Sequence, residues 1–327
     1  MIKQLTVEEG SAGERLDIFL ASKLPELSRS QLQELIVTGK VSGDRSFSKS
    51  RLPVQIGERI VIDVPDPDRP LISIPGELPV LYEDSQIIVV DKPAGLQTHP
   101  NSFEEGTSVI QIILYMRPEI AAAVYDPESE ISRLRPGIVH RLDKDTTGVL
   151  LIAKTRETVS ALATQFRLHM VTKTYETLLS GTLLEARTVD APLQRKPGRE
   201  NMMGIAKNPS LGREAISHFR PITLHMLPGN LPVSHVSCQI ETGRTHQIRA
   251  HAKSIGMPVI GDSRYANRPS EAIAKKLHVS RQLLHAKELS FTHGGEQLKI
   301  TSPLPADFQD ALTRLIAFDN APGDMLT

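Results

Sequence analysis

Tryptophan is absent from this chain, cysteine occurs once, and aromatic residues make up only 4% of its 327 positions. The core must therefore be built mainly from aliphatic side chains. The single Cys238 excludes an internal disulfide and a cysteine-based zinc site. No apolar run approaches the roughly 20 residues that span a membrane, and the first residues lack the pattern of a secretory signal. We expect a cytoplasmic protein in a reducing compartment, without a membrane partner.

Neither sign of charge is in excess, because 38 basic residues are matched by 38 acidic ones. This balance excludes a protein that binds nucleic acids nonspecifically through a high overall positive charge. A nucleic-acid-binding protein of this composition has to concentrate its positive charge locally. Its affinity would then depend on salt through a few phosphate contacts. The length of the chain suffices for one large domain and one small domain.

Residues 1–64 are predicted to form the small domain, an α/β unit. Apolar residues near helical spacing indicate a first helix over 14–24. Ser28 is predicted to cap a second helix, and Gln31, three residues later, completes a capping box in which the cap contributes about 1 kcal/mol. A short strand is expected over 58–64.

Proline is concentrated between the two predicted domains. Five prolines fall within residues 65–79, where apolar residues are few, and this composition favours an extended linker that lets the domains reorient. The large domain is expected over 80–319, and residues 320–327 are expected to fray. The strands predicted in the large domain include 86–90, 149–153, 175–179, 233–240 and 297–300.

Two helices are predicted in the large domain. Thr155 is expected to cap the first, whose apolar face extends from Val159 to Met170 at helical spacing. The second is expected to begin at Thr245 and to stop at Gly256, with a dipole whose positive end lies near its first residues.

The most informative stretch is 135–148, which reads Arg-Pro-Gly-Ile-Val-His-Arg-Leu-Asp-Lys-Asp-Thr-Thr-Gly. It places Asp143 after His140 and Arg141, just before a turn that leads into the predicted strand 149–153. A carboxylate at the mouth of a strand, flanked by cations, can be kept ionised and directed at a ligand. On its own residues, this stretch is a site candidate and no more.

Four other segments match one known family in the same order as that stretch. They contain Asp91-Lys-Pro-Ala-Gly95, Lys173-Thr-Tyr175, Thr242-Gly-Arg-Thr-His-Gln-Ile-Arg-Ala-His251 with Gly261-Asp262 and Tyr265, and Leu284-His-Ala286. Together with 135–148, these segments resemble the RluA/RluD family of RNA pseudouridine synthases. Five matches in register make chance agreement very small.

The N-terminal unit resembles the small RNA-binding domain named after ribosomal protein S-four. The matching pieces are Arg15-Leu-Asp17, Ser28-Arg-Ser-Gln31, Gly39-Lys-Val41 and Gly57-Glu-Arg-Ile60. Five basic residues stand against two acidic ones between positions 29 and 51. The alternative is a surface with ordinary scattered charge. The residues of this unit that the resemblance predicts to bind RNA are Arg29, Gln31 and Lys40.

The resemblance implies isomerisation of uridine to pseudouridine in RNA, most often in large-subunit (23S) ribosomal RNA, with tRNA as the alternative substrate. The bond between the ribose and nitrogen 1 of the base breaks, and the base turns and reattaches through carbon 5. No metal and no organic cofactor are implied. The fold class implied is α/β (α+β), with a mixed, largely antiparallel central sheet crossed by a cleft. A monomer is expected.

Asp143 corresponds to the single catalytic acid of the family, whose attack on ribose or base, or abstraction of a ribose proton, drives bond cleavage. Each of these roles needs an ionised carboxylate. Arg249 corresponds to the arginine that pairs with this acid, whereas the pattern alone favours a surface helix charge. Tyr175 corresponds to the residue that stacks on the target base and accepts a proton late in the reaction. Stacking contributes roughly 1–3 kcal/mol per base; a buried core tyrosine is the alternative.

Other residues are predicted to contact RNA. Arg141 is expected to fill the space left by the extruded uridine, which is least costly to flip from an unpaired loop. His140 either contacts a phosphate or packs near Asp143. The segment 194–199 either touches RNA or is a solvated loop. The residues expected to line the RNA path are Lys92, Arg244 and His246.

Three further acids, Asp91, Asp145 and Asp262, are interpreted as turn or cap residues, because the family uses one acid. The spacing of five from His246 to His251 differs from the i,i+4 pair of helical zinc sites, so no metal site is predicted. Two other classes of function stay open. One is a noncatalytic RNA-binding protein on the same fold, and the other is a base glycosylase, which typically needs two carboxylates around a water.

Overall fold

A computed structural model describes residues 2–25, 27–64, 70–103, 106–126, 129–196, 198 and 202–320, with Ser30 and Glu130 described by their backbone only. Contacts divide the chain into two compact units, Met1–Pro70 and Leu71–Thr327. In the described residues, no helix has both the length and the apolar character needed to cross a membrane. Residues 65–69 of the predicted linker and 321–327 of the predicted tail lie outside the described residues.

The first unit packs two helices against a small antiparallel sheet of order β1-β3-β2. Its core is aliphatic apart from Phe19 and Phe47. The predicted capping box is confirmed, because Ser28 Oγ accepts from Gln31 N and Gln31 Oε1 accepts from Ser28 N. The elements of this unit are β1 (Ile2–Thr6), α1 (Leu16–Lys23), α2 (Arg29–Val37), β2 (Val41–Gly43) and β3 (Arg59–Asp63).

One buried acid joins the two helices of this unit. Asp17 on α1 is fully buried and accepts from Arg15 at 2.9 and 3.0 Å, from Arg29 at 2.9 Å and from Gln33 at 2.7 Å. Burial by itself raises the pKa of Asp17, but these hydrogen bonds and the arginine charge outweigh it and hold the pKa well below its usual range.

Residues 71–79 differ from the linker prediction. Leu78 is buried, Leu71 packs against the core of the second unit, and Ile74 N donates to Gln111 O at 3.0 Å. Proline content favoured an extended chain here, and the chain is indeed without regular structure. However, its few apolar side chains are enough to fix it to the surface of the second unit.

The second unit is built on one large mixed sheet. In the described part of the chain, its strand order is β4-β5-β6-β13-β7-β12-β11-β8, and β14 pairs with β13. Its strands are β4 (Val80–Glu83), β5 (Ile87–Lys92), β6 (Thr147–Ala153), β7 (Thr172–Ser180), β8 (Arg187–Asp190), β11 (Ile216–Leu227), β12 (Leu231–Ile240), β13 (Leu284–His293) and β14 (Glu296–Thr301). A separate two-stranded sheet is formed by β9 (Leu193–Arg195) and β10 (Met203–Ile205).

Helices cover this sheet. They are α3 (Val109–Met116), α4 (Glu130–Arg133), α5 (Arg156–Arg167), α6 (Gln247–Ser254), α7 (Arg268–Leu277) and α8 (Ala306–Asp319). The strand β6 is buried along its whole length, as expected for a strand that is covered on both faces. Thr155 caps α5 as predicted, with Oγ1 accepting from Thr158 N at 3.2 Å.

In the described part of this sheet, neighbouring strands pair antiparallel except β6 and β13, which run parallel. The predicted mixed, largely antiparallel sheet is therefore confirmed. The predicted strands 149–153, 175–179 and 233–240 form the inner parts of β6, β7 and β12. The helix predicted from Thr155 ends at Arg167, so Met170 lies beyond it and is 54% exposed.

Gly148 allows the parallel contact at the middle of the sheet. Its φ is +108°, and a Cβ at this position would lie 2.2 Å from Ala286 O, a distance no side chain tolerates. Ala286 pairs with Gly148 on one side and with Tyr175 on the other. The loop that ends in Gly148, which carries Asp143, is thereby brought next to Tyr175.

Glu83 ties β4 to two other parts of the second unit. Its carboxylate accepts from Arg117 at 2.6 and 2.8 Å and also pairs with Lys154. Arg117 caps the end of α3, and Lys154 follows β6. The hydrogen bonds from Arg117 lower the pKa of Glu83 to about 2, with Lys154 acting in the same direction against the effect of burial.

We predict that Glu83→Gln lowers the free energy of unfolding by about 2 kcal/mol at pH 7. Because the pKa of Glu83 is lowered in the folded chain, its contribution is present above about pH 4.5 and is lost as the pH falls toward 2. Urea denaturation of wild type and variant at pH 7 and pH 3 would measure this. An equal gap at both pH values would contradict it.

Candidate active site

A cavity of about 420 Å³ lies over β7, β12 and β13 of the second unit. Among the described residues that line it, Asp143 is the only carboxylate. The second carboxylate that hydrolysis of a glycosidic bond typically requires is therefore not found among them. The residues predicted from sequence that line this cavity are His140, Arg141, Asp143, Tyr175, Arg244, His246 and Arg249.

The loop that carries Asp143 is fixed by buried polar contacts. Thr98 Oγ1 donates to Leu142 O at 2.9 Å and accepts from Leu142 N at 3.1 Å. Asp143 O in turn accepts from Thr146 N at 3.1 Å, which closes a turn after the acid. The carboxylate is 19% exposed, so it is held in place and still reaches the cavity.

Lys92 is buried next to the Asp143 loop. It was expected along the RNA path, but its side chain is fully buried and lies outside the lining of the cavity. Its ammonium donates to Pro93 O, Lys144 O and Thr146 O at 2.8 to 2.9 Å, which accounts for all three of its N–H groups. Burial lowers the pKa of Lys92 to about 7, although Asp145 and Asp143 act in the opposite direction. Lys92 therefore holds the backbone of the Asp143 loop from the protein interior.

Arg249 joins Asp143 to a second acid. Its Nη1 donates to Asp143 Oδ2 at 2.9 Å, and its Nε and Nη2 donate to Asp262 at 2.6 and 2.9 Å. The side chain is 5% exposed, whereas the pattern alone favoured a surface charge. Burial by itself lowers the pKa of Arg249, but the hydrogen bonds and charge of Asp262, with those of Asp143, raise it above its usual range. The guanidinium is therefore a permanent cation beside Asp143.

Asp262 was interpreted as a turn or cap residue, and it has that role and another. Its Oδ1 accepts from Arg264 N at 3.0 Å and from Tyr265 N at 3.2 Å, as a cap does. Both oxygens also hold Arg249 in a two-point contact. The chain reaches this position through Gly261, whose φ is +81° and whose missing Cβ would lie 1.9 Å from Arg281 O.

His246 and Tyr265 close the same side of the cavity. The ring of Tyr265 lies 5.2 Å from the Arg249 guanidinium carbon, and its hydroxyl is 3.2 Å from His246 Nδ1. His246 Nε2 lies 3.9 Å from Asp143. Burial lowers the pKa of His246, although Asp143 acts in the opposite direction. His246 also takes a left-handed backbone conformation, with φ +53°, so α6 begins at Gln247, two residues after the predicted start.

Tyr175 lies on β7, next to the Asp143 loop, and lines the cavity. Its ring is largely buried, at 9% exposure. Burial raises the pKa of Tyr175 well above its ordinary value, and the nearby charge of Asp143 adds to this. The hydroxyl therefore keeps its proton at neutral pH, and the ring presents an uncharged aromatic surface to the cavity.

His140 and Arg141 precede Asp143 and differ in their surroundings. His140 Nε2 accepts from Leu151 N at 2.9 Å, and its ring stacks on Phe166 at 5.0 Å. Burial lowers the pKa of His140 to about 3, so the ring is neutral and packs as a structural side chain. Arg141 is exposed at the cavity.

Cations other than Arg249 also line the cavity. Lys173 and Tyr175 are two residues apart on β7, so their side chains share one face of the strand. Arg244 lines the cavity nearby, and its Nε donates to Glu214 O at 2.9 Å.

The residues of the first unit that were predicted to bind RNA have protein partners. Arg29 pairs with Asp17 at 2.9 Å, and Lys40 pairs with Asp63 at 3.4 Å. Gln31 Oε1 accepts from Ser28 N at 2.8 Å in the capping box, and its role in RNA binding stays a prediction. Arg29 stays 54% exposed, so its remaining donors reach solvent.

In the described part of the chain, no three His, Cys, Asp or Glu side chains are grouped to hold a metal ion. Two of the histidines considered above are buried in hydrogen bonds. His251 contacts Ser217 and Ala191 O, and His285 contacts Thr147. The segment 194–199 is described only in part; Gln194 and Arg195 lie on β9, and Pro197 and Arg199 lie outside the described residues.

The cavity brings together a single acid, a buried arginine that pairs with it and an aromatic ring. This arrangement suits an enzyme that uses one carboxylate to act on a nucleic-acid base. The chain matches the family described as RNA pseudouridylate synthase over residues 86–254, a range that contains Asp143, Tyr175 and Arg249. It belongs to this family, whose members are isomerases that act on RNA.

Relatives support this assignment along most of the chain. An uncharacterized RNA pseudouridine synthase of Synechocystis is 38% identical over 315 residues, covering 94% of this chain and 91% of its own. The ribosomal large subunit pseudouridine synthase D of Pseudomonas aeruginosa is 35% identical over 306 residues, covering 90% of each chain. In fold, the chain is similar to human RNA pseudouridylate synthase domain containing 4, with a TM-score of 0.56 over 73% of this chain and 93% of that chain, at 24% identity.

Three residues at the site carried no prediction of this role. Asp262 holds Arg249, Tyr265 covers it, and Thr98 fixes the Asp143 loop. Tyr265 and Asp262 stand within matched segments, so the resemblance marked their positions. Thr98 had no such signal, because its role depends on contact with a residue 44 positions away.

We predict that Asp262→Asn lowers the free energy of unfolding of the second unit by about 3 kcal/mol, because it removes one partner of a buried ion pair. Asp143→Asn should lower it by less than about 1 kcal/mol, since Asp262 still compensates the charge of Arg249. Urea denaturation of the two matched variants would measure the difference. Equal losses would mean that the two acids support Arg249 equally.

Proposed function

We propose that this enzyme isomerises uridine in RNA of the large ribosomal subunit, with Asp143 as the catalytic nucleophile. The observation that carries the proposal is the ion pair of Asp143 with buried Arg249 in a cavity lined by Tyr175. Relatives named ribosomal large subunit pseudouridine synthase D, at 33–38% identity, support the choice of RNA. We also propose that the enzyme acts in the cytoplasm, where ribosomal RNA as substrate would place it. The family resemblance implies a monomer.

The geometry gives Asp143 one held oxygen and one reactive oxygen. Oδ2 accepts from Arg249, while Oδ1 has no hydrogen-bond partner among the described residues. In the proposed step, Asp143 Oδ1 attacks the ribose carbon that carries the base while the bond from this carbon to nitrogen 1 breaks. The base leaves with the electron pair of the broken bond on nitrogen 1 and turns. Carbon 5 then bonds to the ribose carbon as the bond to Asp143 breaks, and the proton of carbon 5 is lost to solvent while nitrogen 1 takes up a proton. Arg249 holds the other oxygen through a charge-assisted hydrogen bond and so orients the carboxylate for this attack.

Tyr175 is proposed to stack on the extruded uracil. Its ring is uncharged at neutral pH, and stacking on such a ring stabilises a flipped base by roughly 1–3 kcal/mol. Because burial raises the pKa of Tyr175 well above its ordinary value, its hydroxyl stays protonated at neutral pH. We therefore do not assign Tyr175 the role of late proton acceptor. Exposed Arg141 is proposed to occupy the place that the uridine leaves in the RNA.

The first unit is proposed to be an RNA-binding domain of the S-four type, acting with the catalytic domain of the second unit. The fold of two helices on a small sheet supports this. Lys49 and Arg51 are exposed, and neither has a side-chain partner in the described part of the chain. They are therefore better placed than Lys40 or Gln31 to meet phosphates, and Arg29 contributes through its exposed part.

We predict that Asp143→Asn abolishes pseudouridine formation, because the side chain keeps its size and loses the charge that makes it a nucleophile. The test is a pseudouridine map of total RNA from cells that lack this protein, complemented with wild type or with the variant. Sites that are lost and restored only by wild type would establish the activity and name the substrate.

Restoration by the variant would remove Asp143 from the proposed role. If no site is lost, purified enzyme on ribosomal RNA decides between the activity and a noncatalytic RNA-binding protein. Measuring free uracil in the same reaction tests for a glycosylase, which would release the base. Modified sites in tRNA instead would overturn the choice of ribosomal RNA and leave the chemistry intact.

For the first unit, we predict that Lys49→Glu with Arg51→Glu weakens binding to intact ribosomal RNA by about tenfold, whereas turnover of a short stem-loop stays near wild type. Loss of two phosphate contacts should also reduce the dependence of log affinity on log salt by about 2. A matched pair on the second unit, Lys275→Glu with Lys276→Glu, serves as control. Equal effects of both pairs would contradict a recognition role for the first unit, as would unchanged binding after deletion of residues 1–64.

A further inference from the structure

Part of the cavity lining consists of cationic side chains to which no catalytic role has been assigned above. Lys173, Arg167 and Arg244 line this part, which we call the cationic end. Lys173 is only 6% exposed, although it is a lysine. Lysine is almost never fully buried unless a partner compensates its charge, so the surroundings of its ammonium are informative.

The ammonium of Lys173 is held by a backbone oxygen rather than by a carboxylate. Its Nζ donates to Glu241 O at 2.9 Å, and this oxygen also contacts His169 Nδ1 at 2.9 Å. The carboxylate of Glu241 lies against His218 instead, with Oε1 at 2.7 Å from Nε2. Since an ammonium has three N–H groups, Lys173 keeps two that have no partner among the described residues.

Arg244 adds donors to the same end of the cavity. Its Nε is committed to Glu214 O, and its two terminal nitrogens have no partner in the described part of the chain. Burial lowers the pKa of Lys173 to about 8, and the charge of Arg244 acts in the same direction while Glu241 opposes it. An anion placed between the two side chains would relieve their repulsion.

The distance from this end to the stacking ring suits one nucleotide. Residues two apart on a strand are separated by roughly 7 Å along it, so Lys173 stands about this far from Tyr175 on the same face of β7. When a base stacks on Tyr175 with its ribose at Asp143, only that ribose separates the base from the nearest backbone phosphate. A full negative charge also matches two or three cations better than a carbonyl of the base does.

We propose that Lys173 and Arg244, with Arg167 at the rim, form a subsite for the phosphodiester next to the target uridine. The proposal rests on the proposed function, since it assumes that Tyr175 receives the uracil. It adds a binding role for Lys173 and assigns the chemical class of the group bound.

The test measures binding and not turnover, so that it is independent of whether pseudouridine forms. The probe is the trinucleotide ApUpA, which has one uridine and two phosphodiesters, together with two analogues in which a neutral methylphosphonate replaces the linkage on the 5′ or the 3′ side of the uridine. Titration calorimetry or NMR gives the affinity of each probe for the full-length wild type, Lys173→Met and Lys275→Met. Lys275 is exposed on α7 and serves as the matched control.

We expect Lys173→Met to weaken ApUpA binding by about tenfold, the scale of one charged hydrogen bond. One of the two methylphosphonates should weaken wild-type binding by a similar factor and should have almost no further effect on Lys173→Met. This loss of additivity identifies a direct contact between the side chain and that phosphate. Lys275→Met should bind each probe as wild type does.

The proposal would be overturned if each methylphosphonate weakened binding by the same factor in wild type and in Lys173→Met. It would also be overturned if wild type failed to bind ApUpA at millimolar concentration. Arg244→Met is the second variant if Lys173→Met does not fold, and the same non-additivity is expected of it. If the coupling is found but no pseudouridine is formed on any RNA, the subsite stands and the proposed function fails.

Discussion

Arg249 carries a permanent charge in a place that water hardly reaches, and the site is arranged around that fact. A buried guanidinium must be compensated, and two carboxylates from distant parts of the chain do so. Asp262 holds it with both oxygens inside the protein, whereas Asp143 contributes a single oxygen and faces the cavity. The first contact fixes the cation, and through the second contact the cation orients the acid that faces the cavity.

The sheet provides the geometry that this pairing needs. Ala286 on β13 lies between Gly148 and Tyr175, so the loop before β6 and the face of β7 meet at one point. The strand β12 continues into the segment that leads to α6, which brings Arg249 to the same place. Buried contacts from Lys92 and Thr98 then hold the Asp143 loop. Rigid support of this kind is what positions a catalytic group within a fraction of an ångström.

The charges of the chain cancel overall but not locally. The cavity is lined by Asp143 with its partner Arg249, and also by the cations Lys173 and Arg244. A uridine in RNA is divided into a neutral base, a sugar and a charged phosphate. The combination of a paired carboxylate, an aromatic ring and further cations in one cavity therefore suits a substrate with these parts. It also explains how a chain with no net charge can bind a polyanion.

Local features could be predicted from sequence because they depend on neighbours along the chain. The capping box of Ser28, the cap of Thr155 and the inner parts of β6, β7 and β12 follow from hydrogen bonds or periodicities within a few residues. The order of five motifs identified the family, and the family resemblance predicted that Asp143, Tyr175 and Arg249 belong to the active site. These properties were determined by the sequence itself.

The tertiary structure decided which polar groups are buried and what they contact. Lys92 was expected along the RNA path, yet its ammonium is held by three backbone oxygens inside the protein. Asp262 resembled a turn residue, and Lys173 had no predicted role beyond its motif. Arg249 and Asp143 stand 106 positions apart in sequence. Whether a charge is exposed or paired depends on segments that meet only after folding, and the energy of such a contact is set by burial, which no local pattern contains.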